Sequence, residues 1–130
     1  MAVLQHDDLV GEALGRDDVL VAANPEFLAE GTAVRDFLQP DRVVIGSDDP
    51  GAAERVARLY RPLDTHLVLT DAASAETIKY AANAYLAVRL SFVNSMAEVC
   101  EAAGADITAV MDGVGSDHRI GRSFLSPGPG

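Results

Sequence analysis

The feature that most restricts this chain is residues 75–103, a run of 29 residues holding neither glycine nor proline. Apolar side chains recur along it at helical spacing, at Ile78, Ala82, Tyr85, Val93, Met96 and Cys100. The run therefore predicts one helix of roughly 43 Å. Ser74 is placed to cap its first turn, and Gly104 to end it in the left-handed conformation that glycine adopts freely. Globular helices average about 10–14 residues, so one this long reads as a spine between domains or subunits. A shorter helix over residues 107–111 follows, and residues 126–130 (SPGPG) are loop.

Ahead of the spine the texture differs. Residues 19–23 (VLVAA) form an apolar run ending at Asn24-Pro25, which predicts a buried strand. Asn24 then reads as an N-cap, Pro25 as the first helical residue and Gly31 as the stop of a short helix. Residues 42–46 (RVVIG) predict a second strand. Pro50 opens a helix to Tyr60, with Ala53, Val56, Ala57 and Tyr60 on one face, and residues 66–69 (HLVL) predict a third strand. Residues 9–14 (LVGEAL) suit a weak amphipathic helix interrupted by Gly11. Strand, helix and strand with short connections predict a parallel α/β sheet covered on both faces. The expected division is an α/β part over residues 1–70 and a helical part over residues 71–130. Three strands in about 70 residues leave open sheet edges, which implies a piece of something larger.

Composition excludes several classes. The 130 residues carry 20 acidic and 10 basic side chains, and a net charge of −10 opposes a nucleic-acid or anionic-membrane partner. One cysteine excludes an internal disulfide and a multi-thiolate zinc site. There is no apolar run long enough to span a bilayer and no basic leader, so the expected location is the cytoplasm. His6, His66 and His118 lack metal-ligand spacing, and no metal is expected. Gly113 and Gly115 follow a helical segment, and His118 stands where a dinucleotide motif needs its third glycine, so that motif is rejected. Cys100, beside Glu98 and Glu101, reads as a packing residue, because neighbouring acids disfavour its thiolate.

Two polar pairs have the residue types for catalysis. Glu26 and Glu30 are four apart, so on a helix they share a face beyond the end of the first predicted strand, where open α/β sheets bind ligands. Two close carboxylates raise one pKa, which suits an acid or base. Lys79 and Asn83 are likewise four apart on the spine and together can donate to an oxyanion or a sugar hydroxyl. On spacing alone the plainer reading is solvated charge, with Lys79 paired to Glu76.

Three blocks then become specific. Residues 24–46 (NPEFLAEGTAVRDFLQPDRVVIG), residues 74–87 (SAETIKYAANAYLA) and residues 101–125, which include GSDHRIGRSFL, resemble the nucleotide-sugar 6-dehydrogenases, most closely the UDP-glucose type. The resemblance runs over about residues 19–128 in matching order. It implies the C-terminal part of a Rossmann-like NAD-binding domain followed by the start of a helical dimerisation domain with one long helix. It also implies NAD-dependent oxidation of the C6 hydroxyl of UDP-glucose to a carboxylate, through a thiohemiacetal and a thioester on a cysteine.

By resemblance Glu26 is the acid/base that helps water attack the thioester, and Lys79 and Asn83 stabilise the C6 oxyanions. Phe27, Leu28, Ala29 and Glu30 touch substrate with Glu26, and Glu30 also lies near the nicotinamide of NAD. Arg119 resembles an arginine that reaches the substrate of a neighbouring subunit, and Phe124 and Leu125 begin a loop over the sugar. The implied partners are a UDP-sugar and a second copy of the chain bound through the long helix. The family's nucleophilic cysteine lies in a GGSCF-type loop, and its NAD-binding glycines in an N-terminal βαβ unit. Neither motif occurs in these 130 residues, so the expectation is an internal piece that is inactive alone. Two alternatives remain: a dehydrogenase for GDP-mannose or an N-acetylhexosamine nucleotide, and a non-enzymatic helical association module.

Overall fold

The protein is described by a computed structural model over residue 10, residues 12–16 and residues 18–129. It divides into two compact units, Met1–Tyr80 and Ala81–Gly130.

The first unit is built on two parallel strands, β1 (Val43–Gly46) and β2 (Leu67–Thr70), in a register that runs from Val43 opposite Leu67 to Gly46 opposite Thr70. Helix α1 (Ala33–Leu38) precedes β1. Helix α2 (Pro50–Tyr60) and a 3-10 turn (Arg61–Leu63) connect the strands. Pro50 sits in the first turn of α2, where its missing N–H costs nothing. Asp49 caps that turn by accepting from the Ala52 N–H at 2.7 Å. Val44 and Ile45 are fully buried, and Val43, Ile45, Ala53 and Ala57 form the core, flanked by Ala22, Val56, Tyr60 and Leu67. The α2 face expected from spacing is the face that packs.

Residues 19–23 depart from the expected strand. Ala23 makes one antiparallel bridge with Gly46, exchanging bonds of 2.7 and 2.8 Å, and the Ser47 hydroxyl donates to the Val21 carbonyl. The Asn24 side-chain amide donates to the Val44 carbonyl at 2.8 Å, so a side chain takes the acceptor that a ladder would have used. The described sheet therefore has two strands rather than three. Nor are both faces of β2 covered, since Leu69 is 51% exposed.

The expected helix after Asn24 is also displaced. Residues 24–29 have no regular structure, a turn follows, and the helix begins only at Ala33. Asn24 cannot cap, because its side chain is bound to Val44 and to the Tyr60 hydroxyl. Gly31, at φ +84°, makes the left-handed turn that precedes α1 instead of ending a helix.

Helix α3 (Ala72–Ala103) is the predicted spine, three residues longer at its start than expected. Asp71, rather than Ser74, caps it: the Asp71 carboxylate accepts from the Ser74 N–H at 2.8 Å. At its end Gly104 takes φ +69°, and the Ala105 N–H donates to the Cys100 carbonyl at 2.9 Å, a Schellman closure.

In the second unit α4 (Ile107–Gly115) is capped by Asp106, which accepts from the Thr108 N–H at 2.9 Å. Val93, Met111 and Leu125 form its core with Met96, Ile107, Val110 and Val114 against them. Cys100 is buried, as a packing residue should be. Of the weak helix predicted at residues 9–14, Val10 and residues 12–14 are helical. Leu9 and Gly11 lie outside the described residues, as do His6 and Gly130.

Candidate active site

Lys79 and Glu26 meet in the first unit. Lys79 lies in the early turns of α3, and its Nζ donates to Glu26 Oε1 at 3.0 Å. The other carboxylate oxygen, Oε2, accepts from the Leu28 N–H at 2.7 Å. Both oxygens thus accept hydrogen bonds, which favours the anion. The Leu28 amide, then the Lys79 ammonium, hold the Glu26 carboxyl below its ordinary value. This corrects the expected direction. A raised pKa required Glu26 and Glu30 on one helix face, and residues 24–29 are not helical. Lys79 has a partner 53 residues distant in sequence, which spacing along its own helix does not reveal.

The loop that carries Glu26 is pinned by side chains. Asn24 fastens its start, as above. At its far end Asp36 accepts from the Ala29 N–H at 3.1 Å and from the Thr32 hydroxyl at 2.6 Å. The Thr32 hydroxyl and the Ala29 amide hold the Asp36 carboxyl below its ordinary value. Between these points Phe27 lies beneath the Arg42 guanidinium, 3.9 Å from ring centre to Cζ, with Lys79 Nζ 5.3 Å from the same centre. Leu28, Ala29 and Glu30 are exposed. Arg42, Asp36 and Tyr60 were not among the candidates. The available signal was Arg42 itself, a cation standing directly before an apolar strand.

The remaining candidates belong to the second unit. Asn83 is exposed on α3. Arg119 is exposed and engaged with Asp117, Nη2 to Oδ2 at 2.6 Å, which holds the Asp117 carboxyl down. Arg89 donates to the Ile120 and Gly121 carbonyls and so fastens the turn that presents Arg119. Phe124 is exposed at φ +56°, a left-handed conformation that is strained for a bulky residue. Leu125 has its side chain in the core with Val93 and Met111, so a ligand there meets its backbone. A depression of about 120 Å³ lined by Met111, Asp112, Arg122 and Leu125 suits a few waters, since small-molecule sites run to roughly 300–1,000 Å³.

Comparison with known proteins identifies the class. Residues 3–64 match the NAD binding domain, and residues 73–130 the central domain, of the UDP-glucose/GDP-mannose dehydrogenase family. The chain belongs to that family. It is 50% identical over 113 residues to the UDP-glucose 6-dehydrogenase of Rickettsia bellii, covering 85% of this chain and 26% of that protein. A UDP-glucose dehydrogenase structure from Pyrobaculum islandicum superposes with a TM-score of 0.88 at 40% identity, over 93% of this chain and 28% of that one. The GDP-mannose dehydrogenase of Pseudomonas aeruginosa does so at 0.81 and 33% identity, over 93% and 29%. The fold is the expected Rossmann-like α/β arrangement with a long helix. The chain spans about a quarter of the length of the curated relatives it matches.

NAD is the cofactor of this family. The described residues do not supply a cradle for its pyrophosphate. A cradle needs a glycine that lets a ligand approach the end of a strand. At the end of β1 that space is already filled: a Cβ on Gly46 would lie 2.5 Å from the Asp71 carbonyl oxygen and 2.5 Å from Ala75 Cβ. Among the described residues no cluster of histidine, cysteine and acid side chains suits a metal, and no helix is long and apolar enough to cross a membrane.

Proposed function

We propose that this chain carries the acid/base and oxyanion-binding residues of an NAD-dependent dehydrogenase that oxidises C6 of UDP-glucose to give UDP-glucuronate. The Glu26–Lys79 contact carries the reading, because it joins a carboxylate base to a cation at 3.0 Å. Glu26, held anionic, takes a proton from water as the water oxygen attacks the C6 thioester carbonyl. Lys79 turns from Glu26 toward the oxygen that becomes negative, and Asn83 adds an amide donor to it. The oxyanion then collapses and the thiolate leaves. Phe27, Leu28 and Ala29 line the sugar with Glu30, which also faces the nicotinamide. Phe124 and Leu125 cover the sugar, and Arg119 reaches the site of a second copy. Among the solved structures the identity is 40% to a UDP-glucose dehydrogenase and 33% to the GDP-mannose enzyme, which favours UDP-glucose as substrate.

The chemistry needs an accessible thiol. Cys100 is the one cysteine in these 130 residues and it is buried, so the nucleophile has to come from outside them. The boundary between the cofactor-binding and central parts is placed near Thr70, a reading supported by family matches that end at 64 and resume at 73. We place the protein in the cytoplasm, as a homodimer joined through α3. Exposed Tyr85, Val88, Phe92 and Val99, spaced for one helix face, support the dimer.

Titration of UDP-glucose into the chain, followed through backbone amides, tests the reading. Saturable shifts at Phe27, Glu30 and Lys79, weakened by Lys79→Ala, are expected. Absence of saturation at these positions overturns it. In the same sample with NAD no NADH should accumulate, and turnover would overturn the reading of Cys100.

A further inference from the structure

We propose that Arg42 is a positioning residue: by holding the Phe27 ring it sets the place where Glu26 meets Lys79. Residues 24–29 have no regular structure, so no backbone ladder determines where Phe27 lies. Its ring is placed by side chains instead. Arg42 stands on a rigid base, immediately before β1, whose Val44 and Ile45 are fully buried. Its guanidinium carbon is 3.9 Å from the Phe27 ring centre, the separation of a stacked contact. Lys79 Nζ, 5.3 Å from the same centre, is within reach of the ring's negative face while it bonds Glu26. Glu26 precedes Phe27 directly and is tied to the Leu28 amide on its other side. A ring free to swing would carry the carboxylate with it and remove one of the two attractions that hold the ammonium. Arg42 makes no hydrogen bond or ion pair with Glu26, whose partners are Lys79 and the Leu28 amide, and acts through Phe27.

The inference rests on the proposed roles of Glu26 and Lys79, but its test reads the geometry of the pair rather than turnover. The whole 130-residue chain is compared with Arg42→Gln, Phe27→Leu and the double variant by NMR. One readout is the upfield ring-current displacement of the Lys79 ε-methylene protons, and the other is the titration midpoint of the Glu26 carboxyl. In Arg42→Gln the displacement should be lost and the midpoint should move up. Phe27→Leu should move the midpoint in the same direction, and the double variant no further than either single change. Additive movements would show that Arg42 acts by its charge alone, and unchanged readouts in Arg42→Gln would show no action at all. Either result overturns the proposal. Should Arg42→Gln fail to fold, Arg42→Lys retains charge and stem without the planar face. Loss of the Lys79 displacement in that variant supports the proposal, and an unchanged displacement overturns it. Loss of UDP-glucose binding with an intact pair counts against the proposed function and not against Arg42.

Discussion

The Lys79 ammonium and the Glu26 carboxylate, 53 residues apart in sequence, are joined at 3.0 Å on one side of the loop that Asn24 and Asp36 pin. An ion pair spanning that interval links the start of the long helix to a loop without regular structure. Its electrostatics lead to a pH dependence of definite sign.

Replacing Lys79 by alanine should raise the Glu26 midpoint toward the ordinary carboxylate value, leaving the Leu28 amide as the remaining cause of depression. In the native chain the midpoint is lower folded than unfolded. The Glu26 contribution to stability is therefore present above the unfolded value near 4.5 and lost as pH falls through the folded one. Carboxyl carbon shifts of Glu26 followed through acid titration check the prediction. An identical midpoint in Lys79→Ala would count against the ion pair.

Gly46→Ala should be among the most disruptive single changes in the first unit. The new methyl would lie 2.5 Å from the Asp71 carbonyl oxygen, 2.5 Å from Ala75 Cβ and 2.9 Å from Ala72 Cα. Two of these are backbone atoms at the beginning of α3, which cannot turn aside as a side chain can. Overpacking of this kind costs about 1–3 kcal/mol, and more where the backbone has to move. The displaced element is the one that brings Lys79 to Glu26, so denaturant unfolding should show lost stability together with a raised Glu26 midpoint. Native stability in Gly46→Ala would show that the approach of α3 is looser than described.

Asp49→Ala removes the acceptor for the Ala52 N–H at the start of α2. Loss of such a cap costs about 1 kcal/mol, within a range of roughly 0.5–2. Because α2 supplies Ala53 and Ala57 to the core under β1, the loss should appear as a lower urea midpoint for the whole first unit. Asp49→Ser, which keeps a side-chain acceptor, should recover most of it.

The parts legible in the sequence were those that depend on local pattern. Residues 75–103 announce a helix because nothing in them breaks one, and Pro50 marks the start of α2. Residues 19–31 misled because their side chains act at a distance. Asn24 has the residue type of a cap, yet its amide is 2.8 Å from the Val44 carbonyl, and no spacing rule sees a partner 20 residues on. For the same reason the Glu26–Lys79 contact is hidden from spacing, since its partners lie 53 residues apart. Glu26 and Lys79 are candidates by residue type and spacing, and the resemblance to nucleotide-sugar dehydrogenases gives them their expected roles. Arg42 carries only the signal of a cation before an apolar strand, and its reach to the loop through the Phe27 ring shows only in the fold.

Asn94 offers a test in the second unit that depends on no ligand. Its side-chain amide donates to the Gly128 carbonyl at 2.9 Å, and its side-chain oxygen accepts from the Gly128 N–H at 2.9 Å. A single side chain thus satisfies both backbone groups of one residue in the segment that follows Leu125. Each such bond is worth about 0.5–1.5 kcal/mol net, so Asn94→Ala should release this segment at a cost of roughly 1–3 kcal/mol. The Val93, Met111 and Leu125 core lies before that point and keeps its apolar contacts. Hydrogen exchange should therefore speed up at the Gly128 amide by a factor of about ten or more, while the Met111 and Val114 amides of α4 keep their protection. Equal acceleration at both places would mean that Asn94 supports the whole unit instead of fastening one segment to it.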